Sequence, residues 1–132
     1  MDPSLPPTMS EGVATQKMIM DGLYLHSENK SSMMGMPLDG LSITGYDNAK
    51  GIYFNTWIDN SGSGIMYSEG KMDEKTKVIT MKGKMYEPMS AKDLMVRSVY
   101  TFLTPDKYKY EMFVEMPSGE MKMMEIEFNR KK

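Results

Sequence analysis

Thioethers are the most abundant soft donor groups in this sequence: of 132 residues, 18 are methionine and none is cysteine. Three of them, Met33, Met34 and Met36, crowd the stretch SSMMGMPLDG around Gly35. A thioether suits Cu(I), and Met121 and Met123, two residues apart near the C-terminus, would project to the same side of a strand and add to such a site. Methionine is also an unbranched, polarizable side chain that fills irregular apolar space and adapts to varied ligands. Because the triplet lies among the turn formers Gly35, Pro37, Asp39 and Gly40, its side chains are expected to cover the mouth of a cavity as a lid rather than to clamp a metal.

Other chemistry has less to stand on. His26 is the only histidine, so zinc sites of several histidines and His-Cys pairs are excluded within one chain. With Tyr24 and Glu28 on its side of a strand, it is expected to be solvated or hydrogen-bonded. The lack of cysteine removes disulfides, thiolate ligands and cysteine nucleophiles together. No Gly-x-Ser-x-Gly elbow or phosphate loop occurs. Glu125 and Glu127 are paired carboxylates on the outer face of the last strand, where solvated charge is the default. Asn55, Trp57 and Asp59, on one face of a run preceded by Tyr46, form the best polar-aromatic cluster, although Asp59 and Asn60 also suit the turn in DNSGSG. No convergent catalytic set emerges, so the reading is binding rather than catalysis, with no cofactor.

The elements that must position these residues are short alternating runs. LSITGY sets Leu41, Ile43 and Gly45 against Ser42, Thr44 and Tyr46; VITMKGKM sets Met81 and Met85 on one face with Ile79; DKYKYEMFVEM sets Tyr108, Tyr110 and Met112 on one face with Val114. Turn residues gather between them in YDNAKG, IDNSGSG, MDEKTK, TPDK and MPSGE. The pattern predicts nine strands, near residues 12–20, 22–31, 40–47, 51–59, 63–72, 76–86, 94–104, 106–116 and 120–130. EPMSAKDLM is the only weak helix candidate. A proline-rich lead, residues 1–11, precedes a single β-barrel domain over 12–132, an antiparallel up-and-down meander that curls and closes. An odd number of strands cannot close as an antiparallel pair, so either a tenth is missing or one edge is left open, where a second copy would pair to give a homodimer.

A formal net charge of −2 and a pI near 5.4 leave no basic field, which argues against nucleic acid. No run approaches the roughly 20 apolar residues of a membrane helix, and MDPSLPPTMSEG lacks the basic and apolar regions of a signal peptide. The chain as written reads as cytoplasmic, or as exported if a leader precedes it.

Several pieces, MMGMP, GYDN, TWIDN, GSGIM with SEG, and MKMMEIEF, occur in an order and spacing that resembles the family called domain of unknown function 1579, placed with the calycins, the lipocalin-like barrels. The resemblance covers most of residues 12–130. Members usually begin with a further strand carrying Gly-x-Trp, which this sequence lacks, so it is expected to start inside the usual domain. The resemblance implies a calycin-like barrel of about nine or ten strands and no established chemistry; such barrels most often hold small hydrophobic molecules. The expected function is non-catalytic binding of such a ligand against Met33, Met34, Met36, Tyr46, Trp57, Met81, Met85, Tyr108, Tyr110 and Met112. Copper binding through thioethers and a ligand-free interaction module using an open sheet edge are the alternatives.

Overall fold

The computed structural model describes residues 11–33, 35–87 and 91–131, and for Met33 the backbone alone. Its elements are β1 (Val13–Ile19), β2 (Tyr24–Met33), β3 (Met36–Asp47), β4 (Ile52–Asp59), β5 (Met66–Met72), β6 (Ile79–Glu87), β7 (Lys92–Thr104), β8 (Lys107–Met116) and β9 (Gly119–Asn129). They form one antiparallel meander in sequence order, with β1 and β9 at its two ends. Among the described residues no helix is long and apolar enough to cross a membrane. The all-β meander and its nine strands are those the alternation predicts.

Two expectations are corrected. The connection around Gly35 is a tight hairpin rather than a stretch from 31 to 40, because β2 runs to Met33 and β3 begins at Met36, with Met33 and Met36 facing each other across the hairpin. Gly35 there adopts φ +80, which glycine reaches without a Cβ penalty. The helix candidate EPMSAKDLM begins with the last residue of β6 and ends inside β7; its residues 88–90 lie outside the described residues.

Aspartate side chains build the connecting turns. Asp47 Oδ1 accepts from the backbone N–H of Ala49 and Lys50, and Gly51 N–H donates to the Asp47 carbonyl at 2.7 Å. Asp73 repeats the arrangement with Lys75, Thr76 and Lys77. Such a carboxylate supplies the acceptors that a turning backbone lacks. The residue closing each turn is left-handed: Gly51 at φ 68 in the first, Lys77 at φ 61 in the second.

The chain gathers into two compact units, one holding the described residues up to Gly45 together with Asn55–Ile65, the other Tyr46–Phe54 and the chain from Met66 onward. In the first unit the registers of β1, β2 and β3 place Gln16, Ser27 and Ser42 in one row, with Asn29 and Gly40 in the next row on the same face. That face is the more buried one although it is polar: Ser27 is 4% exposed and Asn55 9%, whereas Ile58 on the opposite face is 44% exposed. Buried polar groups are tolerated when paired, and here Ser27 Oγ accepts from Gln16 and Asn29 while Asn55 donates to Thr44 Oγ1 at 2.7 Å.

In the second unit one face of β5–β9 carries Ser68, Met81, Val96, Ser98 and Val114, all buried. A Cβ on Gly70 would stand 1.8 Å from the Thr80 carbonyl oxygen, and one on Gly83 2.2 Å from that of Tyr67. Only glycine permits β5 and β6 to approach so closely. The opposite face is charged. Lys122 bridges Glu111 at 2.6 Å and Glu125, two carboxylates that the register sets directly opposite each other. Arg97 pairs with Glu120 through two hydrogen bonds and lies 4.2 Å from the Phe113 ring centre.

A bulge makes this segregation work. The register passes from Met112↔Met124 to Phe113↔Lys122, leaving Met123 as an extra residue on β9. Without the step, strict alternation from Phe128 would carry Lys122 to the apolar face; with it Met121 takes the place opposite Val114. Met123, the extra residue, has no register partner of its own.

Candidate functional site

Each unit carries one candidate surface. In the second unit β7, β8 and β9 place five aromatic rings on the apolar face. Tyr108 and Phe128, register partners across β8 and β9, stack with centroids 4.6 Å apart and planes 11° apart. Phe102 leans on Tyr108 at 5.8 Å, and Tyr100 on Tyr110 at 5.0 Å. These are the separations at which ring pairs attract beyond simple area burial. β-sheet pairing produces them because partners across a ladder stand within reach of one another.

The polar ends of this face are few. The hydroxyls of Ser98 and Tyr110 share a hydrogen bond of 3.1 Å. Burial pushes the Tyr100 hydroxyl well above the ordinary tyrosine range, with the neighbouring Tyr110 and Tyr108 adding to it. Burial likewise raises Tyr110, against the opposing effect of the Ser98 hydrogen bond. Both remain neutral near pH 7. Phe102 at 54% exposure, with Met124 and Ile126, carries the face out into water. An apolar surface whose polar groups, among the described residues, are neutral hydroxyls can bind by contact and desolvation.

In the first unit the site is built around Trp57. Its indole occupies the space a side chain on Gly40 would need, since a Cβ there would lie 2.1 Å from the ring. Its Nε1–H donates to Asp59 Oδ2 at 2.6 Å, while Asp59 Oδ1 accepts from the Ser61 backbone N–H at 2.9 Å and from the Ser61 hydroxyl at 2.5 Å. Partial burial raises the Asp59 carboxyl, but the hydrogen bonds from Ser61 and Trp57 outweigh it and hold the group below the ordinary value. Asp59 is therefore an ionised structural acceptor that fixes both the indole and the DNSGSG turn.

Beside it runs an open groove of about 410 Å³. Glu28, Asn29 and Lys30 of β2 form one wall; Asp39, Gly40 and Leu41 of β3 and Ile58, Asp59 and Asn60 complete it. Asn60 ties the wall together: its Oδ1 accepts the Asp39 N–H at 3.0 Å, and its own N–H donates to the Asp39 carbonyl at 3.0 Å.

The model of one family, described as a protein of unknown function (DUF1579), matches residues 1–130. The chain belongs to that family. Neither the curated proteins nor the solved structures yield a match. For this DUF1579 protein the geometry of its own residues carries the functional argument.

Of the ten residues expected to line one pocket, some belong to the first unit and some to the second. Tyr108, Tyr110 and Met112 share the apolar face of the second unit, together with Met81, 1% exposed and thus core, and the half-buried Met85. Tyr46 belongs to the same unit and meets Tyr53 edge-on at 4.8 Å. Trp57 and Met36 lie in the first unit, and Met36 at the hairpin tip is 68% exposed rather than packed down as a lid. Met34 and the Met33 side chain lie outside the described residues. Tyr100, Phe102 and Phe128 were missed as face-mates of Tyr108 and Tyr110, although the alternation of Tyr100 with Phe102 in SVYTF and of Ile126 with Phe128 in EIEFN was the available signal. The groove had no such signal, since contacts such as Asp39–Asn60 join residues 21 apart.

Proposed function

We propose that this DUF1579 protein binds a small, largely apolar ligand, without catalysis, against the face formed by Tyr100, Phe102, Tyr108, Tyr110, Met112 and Phe128. The observation that carries the reading is the pair of ring groups on one face of β7–β9, Tyr100 with Tyr110 and Phe102 with Tyr108 and Phe128, which reaches water at Phe102. Contiguous exposed apolar surface favours partner or ligand contact, and rigid rings offer large contact area at little entropic cost. Methionines at the margin, Met112 and Met124, are register partners and give the wall the pliability that suits ligands of varied outline.

The test is a thermal-shift and tyrosine-fluorescence titration of the whole chain with 1-anilinonaphthalene-8-sulfonate and a series of fatty acids. A saturable rise in melting temperature with at least one compound, weakened by Tyr108→Ala, is expected. Unchanged melting and fluorescence across the panel would overturn the proposal.

A further inference from the structure

The groove in the first unit has a chemistry opposite to that of the aromatic face. Its wall sets the side chains of Glu28 and Asp39 beside that of Lys30, a balance that disfavours phosphates and other anions. A metal is also unsupported, because among the described residues no three His, Asp or Glu side chains are grouped to hold one. Lys30 and Asp39 are direct partners across β2 and β3, yet among the described residues neither side chain, nor that of Glu28, enters an ion pair or hydrogen bond. Acceptors and a donor are thus left side by side. A hydroxyl group, which both donates and accepts, satisfies such a mixture; a purely cationic ligand would meet the repulsion of Lys30.

Two further features fit the same chemistry. Leu41 and Ile58 place a short apolar strip within the polar wall, matching the C–H faces that sugar rings present between their hydroxyls. The far side is preorganised: Asp59 is fixed by Trp57 and Ser61, and Asn60 by Asp39 and Pro37. Preorganised walls reduce the ordering cost of binding. We infer that this groove binds a small saccharide through Glu28, Lys30 and Asp39, with the Leu41–Ile58 strip completing the contact. The volume lies within the range of small-ligand sites.

Trp57, the only tryptophan, contacts Gly40 and Asp59 of the groove wall and is the built-in reporter. The whole chain is titrated with glucose, maltose, cellobiose and di-N-acetylchitobiose while tryptophan fluorescence is followed. A saturable change with at least one sugar, in the millimolar range, is expected; Asp39→Asn and Lys30→Gln, both at exposed positions, should each weaken it about tenfold while circular dichroism stays unchanged. Tyr108→Ala should leave it intact, which separates this site from the apolar face. No saturable change with any of the four sugars, an affinity in both groove variants unchanged from that of the original chain, or a response to spermidine in place of sugars would overturn the inference.

Discussion

In the first unit the buried side chains are Ser27, Ser42 and Asn55; in the second they are Ile79, Met81, Val96 and Val114, with Ser68 and Ser98. Among the described residues every buried apolar side chain thus belongs to the second unit. Apolar burial is non-directional and scales with area, so the second unit can leave rings and methionines free at its margin without losing its core. The first unit relies on directional bonds, Gln16 and Asn29 to Ser27, Asn55 to Thr44, Trp57 to Asp59. Its order therefore depends on each partner being present. The difference teaches that the same alternating pattern can bury either of its faces, and that pairing of polar groups decides when the polar face is the one covered.

Four substitutions or conditions test that contrast. Met81→Ala removes a fully buried thioether side chain and should cost about 2–5 kcal/mol, read by urea denaturation and by faster amide exchange in β6–β8. Asn55→Ala leaves Thr44 Oγ1 without its donor and should cost about 1–3 kcal/mol, read as lost exchange protection in β3 and β4. If Asn55→Ala proved neutral, the polar face would not depend on its pairing. Acid tests the Trp57–Asp59 bond. Because the folded Asp59 carboxyl is held below the 3.8 of an unperturbed aspartate, its contribution is complete above that value and disappears as pH falls through the lower folded value. The Trp57 fluorescence transition should accordingly have its midpoint below 3.8, and Asp59→Asn should abolish it. The smallest effect is expected at Lys77→Gly: relief of the left-handed conformation, about 1 kcal/mol, is partly offset by the greater chain entropy of glycine, about 0.5–1 kcal/mol. A gain in melting temperature of no more than a few degrees would result.

Much of this architecture was legible in the residues. All nine strands announced themselves through alternation and through aspartate-led turns such as DNAKG and DEKTK, because side chains on a strand have a period of two and the turns need local acceptors. The start of β3 was not, since Pro37, Asp39 and Gly40 look like a turn; Gly40 is instead a strand residue whose missing side chain seats Trp57. The grouping of Tyr108, Tyr110 and Met112 was legible within one strand. Their stacking with Phe102 and Phe128 depends on register, which a single run does not reveal. The groove was illegible for the same reason, compounded by contacts made only when the turn after β4 folds back on β3.

The extra residue at Met123 also changes how the gene for this protein can vary. A strand is read in steps of two, and a lost codon normally inverts everything beyond it. Here the frame is already shifted once, so deleting Met123 would restore unbroken alternation: Phe128, Ile126, Met124 and Met121 would still face inward and Lys122 outward. Deleting Ile126 would instead set Glu125 opposite Tyr110 on the apolar face. A length change that is harmless at one position and ruinous three residues away makes the paired methionines a buffer for insertions and deletions, placed in the strand that borders the proposed binding face.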